Sequence, residues 1–224
     1  MRLFNVLFAL ALIVSTAKST LAQSAADYRQ QGIQYRAQDQ FPQAIGAFQK
    51  AVKLDEKNLS GRLGLGWTLH LANRRQEAIG VLQGTIPYNP FNIETFNALG
   101  IAYLVNGDLI NAVAAHTWST MLDRNNEIPF FNLSLAYERL AMYDWAVESG
   151  KRAAELEPNN PHPWIALAIA YQGQGDRVSA KQIFQQAINV DPRYGDRASL
   201  NYLSKAAFSP EQIKTAQQLL VTIQ

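Results

Sequence analysis

The sequence contains no cysteine among its 224 residues. Disulfide bonds, thiol catalysis, cysteine-ligated zinc and iron–sulfur clusters are therefore excluded. A lipid attached to a cysteine behind a signal segment is excluded for the same reason. A chain of this length can bury enough apolar surface to fold without disulfides, so the absence of cysteine is compatible with export.

The chain also lacks a marked excess of charge of either sign. It has 20 Lys+Arg residues and 18 Asp+Glu residues. Arg2 and Lys18 are the charged residues among the first 22, so 18 basic and 18 acidic side chains remain beyond them. Proteins that bind nucleic acids or anionic membrane surfaces neutralise phosphates with a basic surplus. We therefore expect neither kind of partner.

The N-terminal segment has the features of a secretory signal. Arg2 precedes an apolar run over residues 3–14, and small residues follow it. Ala22 and, as an alternative, Ala17 suit cleavage by signal peptidase. The apolar run is shorter than the roughly 20 residues of a membrane-spanning helix. We predict that residues 1–22 are a cleaved signal peptide and that the protein is exported to a periplasm, a lumen or the extracellular space. An uncleaved membrane anchor is the alternative.

A period of 34 residues organises the rest of the sequence. Alanine recurs at this spacing five times, at Ala44, Ala78, Ala112, Ala146 and Ala180. A second register holds small residues, at Gly32, Gly66, Gly100, Ser134 and Ala168. A third register holds Tyr35, Leu69, Tyr103, Tyr137 and Tyr171. A repeat of this length indicates stacked structural units, each of which needs its neighbours to bury its apolar face.

These registers resemble the tetratricopeptide repeat family over about three quarters of the chain. The fifth unit matches the family pattern best, through Trp164, Leu167, Ala168, Tyr171, Ala180, Phe184, Ala187 and Pro192. The second unit matches least well, because Arg62 stands at the aromatic position and Thr85 at the second alanine. His116 and Gly150 replace the usual phenylalanine in the third and fourth units.

The resemblance implies an all-α fold, a right-handed α-solenoid of about five helical hairpins. We predict tandem units at 25–58, 59–92, 93–126, 127–160 and 161–194, each with two amphipathic helices. Residues 195–224 lose the pattern. Ser209 and Pro210 then mark a new helix start, with Gln212 completing a capping box. We therefore predict a helical hairpin over 195–224 that caps the stack.

Groups with catalytic or metal-binding chemistry are sparse. His70, His116 and His162 occupy different repeat positions, and none has a second ligand at the required spacing on its helix. The glycines between 61 and 66 lie in a helical pattern without a preceding strand, so they do not form a dinucleotide-binding loop. We expect no enzymatic activity, no metal and no cofactor.

In the family that the repeats resemble, the first helix of each unit lines a concave groove. Carried onto this chain, the predicted lining is Arg29, Arg36, Leu63, Trp67, His70, Asn97, Ile101, Leu104, Phe131, Leu135, Glu138, Ile165 and Ile169. The middle of this set is apolar, and a contiguous exposed apolar surface usually marks an interaction site. Two alternatives stay open. Ile33, Ile101, Leu135 and Ile169 equally suit core positions, and the N-terminal or C-terminal segment of the chain could itself lie in the groove.

We therefore predict a scaffold or adaptor that binds an apolar or amphipathic segment of another protein in this groove. Its expected role is in the assembly or stability of an envelope, lumenal or membrane-associated complex. Relatives that grip a terminal carboxylate use basic and amide side chains where this chain has Ile33, Leu63 and Trp67. A helix-in-groove mode fits better. The alternative function is a structural spacer that self-associates into a homo-oligomer.

Overall fold

A computed structural model describes residues 23–223, and the predicted signal segment lies outside them. The described chain forms these α-helices: α1 (Ala25–Ala37), α2 (Phe41–Leu54), α3 (Leu59–Leu71), α4 (Arg75–Gln83), α5 (Ile93–Asn106), α6 (Leu109–Leu122), α7 (Glu127–Arg139), α8 (Tyr143–Leu156), α9 (Pro161–Gln174), α10 (Arg177–Val190) and α11 (Pro210–Val221). Short 3-10 helices occupy Ile86–Tyr88, Pro192–Gly195 and Ser199–Ala206. Residues 23–223 contain no strand, so the predicted all-α solenoid is confirmed.

Each 34-residue unit contains two helices that pack closely because a small residue on the first faces a large side chain on the second. A Cβ added to Gly32 would lie 2.7 Å from the Phe48 ring, and one added to Gly100 would lie 2.5 Å from the His116 ring. The fourth unit is an exception, because both residues are small: a Cβ added to Gly150 on its second helix would lie 3.0 Å from the Ser134 hydroxyl oxygen on its first. The small residues that recur in the sequence thus lie where the two helices of a unit touch.

The first helix of every unit begins with a side-chain cap, and these caps also recur every 34 residues. Each capping oxygen accepts a hydrogen bond from a backbone N–H in the first turn, where the helix leaves amides unpaired. The caps are Ser24, Asn58, Asn92, Asn126 and Asn160. These residues fix where the chain turns into each new unit.

Successive units stack because the first helix of each unit packs on both helices of the unit before it. Helix α3 packs on α1 and α2, α5 on α3 and α4, α7 on α5 and α6, and α9 on α7 and α8, while the second helices of neighbouring units lie farther apart. The first helices therefore line the inner side of the stack and the second helices its outer side. The main core cluster runs from Ile79 to Leu220 and joins the later units to the C-terminal segment. None of the described helices is long and apolar enough to cross a membrane.

The C-terminal segment differs from the predicted helical hairpin in its first arm, which is the 3-10 helix Ser199–Ala206 rather than an α-helix. Its second arm is α11, which starts with the predicted capping box. The Ser209 hydroxyl accepts from the Gln212 backbone N–H, and the Gln212 side chain accepts from the Ser209 backbone N–H. This box fixes the direction in which α11 leaves the 3-10 helix.

The turn inside each unit uses a left-handed backbone conformation. The residues with positive φ are Asp39, Asn73, Gly107, Ala141 and Gly175. Ala141, with φ 57°, is the one of these that has a Cβ and no polar side chain to bond locally. We predict that Ala141→Gly raises the free energy of unfolding by about 0.5 kcal/mol, because relief of left-handed strain exceeds the added unfolded-state entropy.

Urea unfolding measures this difference, and Ala114→Gly on the exposed side of α6 is the matched control. The control should lose about 1 kcal/mol, as glycine does inside a helix. A loss of stability in both variants would contradict the strain at Ala141.

The ring of His116 is fully buried, and neither of its nitrogens has a hydrogen-bond partner within residues 23–223. Burial lowers the pKa of His116 from 6.5 to about 3, so the folded protein holds it neutral. The unfolded chain takes up a proton as the pH falls below about 6.5, and stability is therefore lost between about pH 6.5 and about pH 3.

We predict that His116→Phe stabilises the protein, because Phe48 and Phe184 fill the equivalent positions in other units without leaving polar atoms unpaired. The gain should grow by about 1.4 kcal/mol for each pH unit of acidification below the unfolded pKa. Urea unfolding of both proteins at pH 7.5 and pH 5 checks this. A difference between the two proteins that is the same at both pH values would show that His116 does not titrate on unfolding.

Candidate peptide-binding groove

The inner side of the stack is divided into two halves with different surroundings. The open half consists of the inner faces of α1, α3 and α5. The covered half consists of the inner faces of α7 and α9, and the C-terminal segment of the same chain lies on it. The predicted lining residues are distributed over both halves, so the structure does not bring them together on one exposed surface.

A cavity of about 490 Å³ lies between α1 and α3 in the open half. Arg29, Ile33 and Arg36 line it from α1, Leu63 lines it from α3, and Phe48 forms part of its floor. The Ile33 side chain is 45% exposed, which is unusual for isoleucine on an inner helix face. This end of the groove therefore offers apolar surface to a partner.

The same cavity carries positive charge. The Arg29 guanidinium lies 4.0 Å from the Asp55 carboxylate, at the outer limit of an ion pair. The Arg36 guanidinium lies over the Phe48 ring, 5.6 Å from its centre, and has no acidic partner within residues 23–223. Burial lowers the pKa of Arg36, although it remains charged at neutral pH. A partner residue that enters here meets an apolar floor and a guanidinium free to bond.

Trp67 and His70 stand one turn apart on α3. Their rings stack with centres 5.1 Å apart, and both side chains are half-buried. Burial, assisted by the charge of nearby Arg75, lowers the pKa of His70. The Nδ1 atom of His70 is buried without a hydrogen-bond partner within the described chain. The pair therefore presents a flat, neutral aromatic surface beside the cavity.

The third unit contributes less to the open half than predicted. Ile101 is half-buried and stays a candidate. Leu104 is fully buried in the main core cluster. Asn97 is also buried, and its Oδ1 accepts a hydrogen bond of 2.6 Å from the Ser119 hydroxyl. The prediction that Asn97 and Leu104 line an open surface is wrong, because both side chains point into the packing of α5 against its neighbours.

The C-terminal segment occupies the covered half through an aromatic anchor and a buried amide. The Phe208 ring lies 5.7 Å from the Phe131 ring and 6.5 Å from the His162 ring. The Gln212 Nε2 donates to the Leu135 carbonyl oxygen at 3.1 Å. From there α11 packs on α9 and α10.

This packing removes three predicted lining residues from solvent. Leu135 is 1% exposed, Ile165 is 0% exposed and Ile169 is 1% exposed. The prediction of one continuous open apolar stripe is therefore wrong over α7 and α9. The C-terminal segment lies in this half of the groove, which agrees with the alternative in which one of the chain's own termini occupies it. Phe131 stays half-buried as the residue on which Phe208 rests.

Glu138 ends this covered half. Its carboxylate accepts a hydrogen bond of 2.7 Å from the Gln212 Nε2. Burial raises the pKa of Glu138, and the Gln212 bond and the nearby Arg139 charge oppose that rise. The side chain that was predicted to meet a partner thus binds the chain's own terminal helix.

No set of three or more His, Cys, Asp or Glu side chains within residues 23–223 is grouped so that it could hold a metal ion. His162, the remaining histidine, has its Nε2 2.8 Å from the Tyr194 hydroxyl and contributes to the packing around Phe208.

The repeat units of this chain match a known protein family. Residues 29–92 and residues 161–194 each match the tetratricopeptide repeat family. Together with the helix pairs and their 34-residue spacing, these matches show that the chain contains tetratricopeptide repeats.

Two relatives share part of the sequence. The small glutamine-rich tetratricopeptide repeat-containing protein 2 of Mycosarcoma maydis is 25% identical over 112 residues, which are 48% of this chain and 32% of that protein. Tetratricopeptide repeat protein 28 of Homo sapiens is 27% identical over 88 residues, which are 39% of this chain and 4% of that protein. The chain thus spans a third or less of the length of these relatives.

Solved structures resemble most of this chain. MamA superposes with a TM-score of 0.66 at 24% identity, covering 72% of this chain and 95% of that one. YrrB, described as a TPR protein with an unusual peptide-binding site, superposes with a TM-score of 0.64 at 18% identity, covering 81% of this chain and 92% of that one. At these identities the likeness concerns the fold.

We predict that Phe208→Ala costs about 3 kcal/mol of local stability, as loss of a buried aromatic ring does. The C-terminal segment should open while the other units stay folded, because each unit depends mainly on its neighbours. Hydrogen exchange resolved by mass spectrometry should then show a larger increase over the parent protein in α9 and α11 than in α1–α4. Tyr202→Ala, on the exposed side of the 3-10 helix Ser199–Ala206, is the control and should change little. Uniformly faster exchange in all helices would contradict a local cover.

Proposed function

We propose that this protein is an interaction scaffold that binds an apolar or amphipathic helical segment of another protein in the open half of its groove. The observation that carries the proposal is the cavity between α1 and α3, where Ile33 is exposed beside Leu63. An exposed branched apolar side chain in a concave site gains contact area when a partner covers it. Tetratricopeptide repeat proteins bind peptides and proteins, and the fold of this chain supports the same use.

The chain's own terminus indicates which ligand chemistry suits the groove. In the covered half an aromatic ring, Phe208, lies against first-helix side chains, and the Gln212 amide bonds the Leu135 carbonyl. The open half offers comparable elements in Ile33 and Leu63. An amphipathic segment with an aromatic or branched anchor therefore fits it, as in other helix-in-groove complexes.

The proposed setting is outside the cytosol, in the assembly or stability of an envelope, lumenal or membrane-associated complex. This part rests on the sequence of residues 1–22, whose apolar run and small residues suit export. Expression in a secreting bacterial host followed by intact-mass analysis tests it. We expect a mature chain that starts at Lys18 or Gln23. A full-length chain retained in the membrane fraction would support the anchor, and one retained in the cytosol would contradict export. Self-association into a spacer stays a prediction of the sequence.

Site-specific photo-crosslinking tests the groove directly. We predict that a photoreactive phenylalanine analogue at Ile33 captures a partner in the native host, whereas the same analogue at Ile110, exposed on the outer side of α6, does not capture it. The double change of Leu63 and Trp67 to alanine should weaken capture at Ile33 by about tenfold or more, because large side chains at the centre of an interface dominate its energy.

Val178→Ala, an exposed site on α10, is the matched control for this loss and should leave capture unchanged. Circular dichroism must show the same helix content in all variants. Capture at Ile33 that survives the double change would remove the open half from the proposal.

A further inference from the structure

The outer side of the stack carries a second concave surface, which we call the outer cleft. It lies between α6, α7 and α8 and has a volume of about 500 Å³. Its apolar walls are Met121, Phe130, Leu133, Tyr137 and Trp145. This surface is on the opposite side of the first helices from the groove, and its properties do not depend on the function proposed for the groove.

The cleft exists because one side chain that covers a tyrosine in other units is short here. Between the second and third units the Gln83 Nε2 donates to the Tyr103 hydroxyl at 2.7 Å. Between the fourth and fifth units the Lys151 ammonium lies over the Tyr171 ring, 5.8 Å from its centre. Both covering residues stand 20 positions before the tyrosine that they cover. The outer surface at these two junctions is thereby filled.

The equivalent residue at the fourth unit is Thr117, which precedes Tyr137 by the same 20 positions. Its side chain is two heavy atoms shorter than that of glutamine and ends before the tyrosine hydroxyl. Tyr137 consequently has no hydrogen-bond partner for its hydroxyl within residues 23–223, and its ring forms a wall of the cleft beside Trp145, with ring centres 6.1 Å apart. A single short residue therefore opens the surface.

The rim of the cleft carries large apolar side chains at positions where the other units have polar residues or proline. Trp145 is 60% exposed and Met121 is 67% exposed. The residues equivalent to Trp145 are Gln43, Glu77, Asn111 and Ser179, and those equivalent to Met121 are Lys53, Pro87, Glu155 and Asn189. Two large apolar side chains that are exposed beside one cleft indicate a contact site, because such exposure has no benefit for the fold itself.

The charge at one end of the cleft is positive. Arg124 is exposed and has no ion pair within residues 23–223. Arg152 lies beside the Phe130 ring, donates to the Arg124 carbonyl oxygen at 3.2 Å, and pairs with Glu155 at 3.3 Å. Glu148 is the acidic residue that lines the cleft. Because Glu155 pairs with Arg152, Arg124 is the unpaired guanidinium at this end of the cleft within residues 23–223, and an acidic side chain of a partner would pair with it.

We propose that the outer cleft is a second binding site, which takes a short extended protein segment with an aromatic side chain and an acidic side chain. The aromatic ring lies against Tyr137 and Trp145, and the carboxylate lies near Arg124. Phe130 and Tyr137 are seven residues apart on α7, about 10 Å along the helix. In an extended peptide alternate side chains point to the same face, and two residues cover about 7 Å. The length of an acidic side chain covers the rest, so the two recognised side chains are two positions apart in the partner.

The probe for this site is the peptide acetyl-Phe-Ala-Glu-amide, with its Glu-to-Gln analogue for comparison. Titration into the ¹⁵N-labelled protein should shift the Trp145 indole N–H resonance in a saturable way, with the resonance assigned by its absence in Trp145→Phe. Thr117→Gln should weaken binding about tenfold or more, because glutamine closes the cleft as Gln83 does beside Tyr103. Arg124→Gln should weaken binding of the glutamate peptide about fivefold and leave the glutamine peptide unchanged.

Ser204→Gln, at an exposed position on the C-terminal 3-10 helix, is the matched control and should bind as the parent does. Thr117→Gln should melt no lower than the parent protein, because the new amide gives the Tyr137 hydroxyl a partner. Absence of a shift in the parent, or equal binding by Thr117→Gln, would overturn the site. Equal binding of both peptides by the parent would overturn the acidic partner.

Discussion

The contact between a small residue on one helix and a large ring on its partner is the constraint on which the rest of the structure depends. Gly32 against Phe48 and Gly100 against His116 bring paired helices so close that no other side chain fits between them. A hairpin built in this way has apolar residues left on both sides, and only the next hairpin can bury them. The 34-residue period, the stack and its inner and outer surfaces all follow from this requirement.

The C-terminal end of the stack determines which part of the inner surface is open. The C-terminal segment covers α7 and α9 with Phe208 and α11, so the last units are sealed by a ligand that the chain supplies itself. The first units have no such cover within residues 23–223. The open part of the inner surface therefore includes the cavity where α1 and α3 meet, whereas the main core cluster joins the later units to α11.

The fold was predictable because the residues of each packing contact recur in several repeat units. Five alanines in register and the turn residues between helices left little freedom in how the helices pair. The site was less predictable. Repeat position alone placed Leu135 and Ile169 in the groove, but whether a groove residue is open depends on a segment outside the repeats, and the anchor Phe208 has no counterpart in any unit. The outer cleft depends on a comparison between units, since Thr117 is informative only beside Gln83 and Lys151.

The central claim is that one half of the inner groove is open and the other is filled by the chain's own terminus. Hydroxyl-radical footprinting of the free protein, read by mass spectrometry, measures this side chain by side chain. We expect rapid modification of Ile33 and slow modification of Leu135, Ile165 and Ile169, with the difference lost after Phe208→Ala. Equal modification of all four residues in the parent protein would contradict the account.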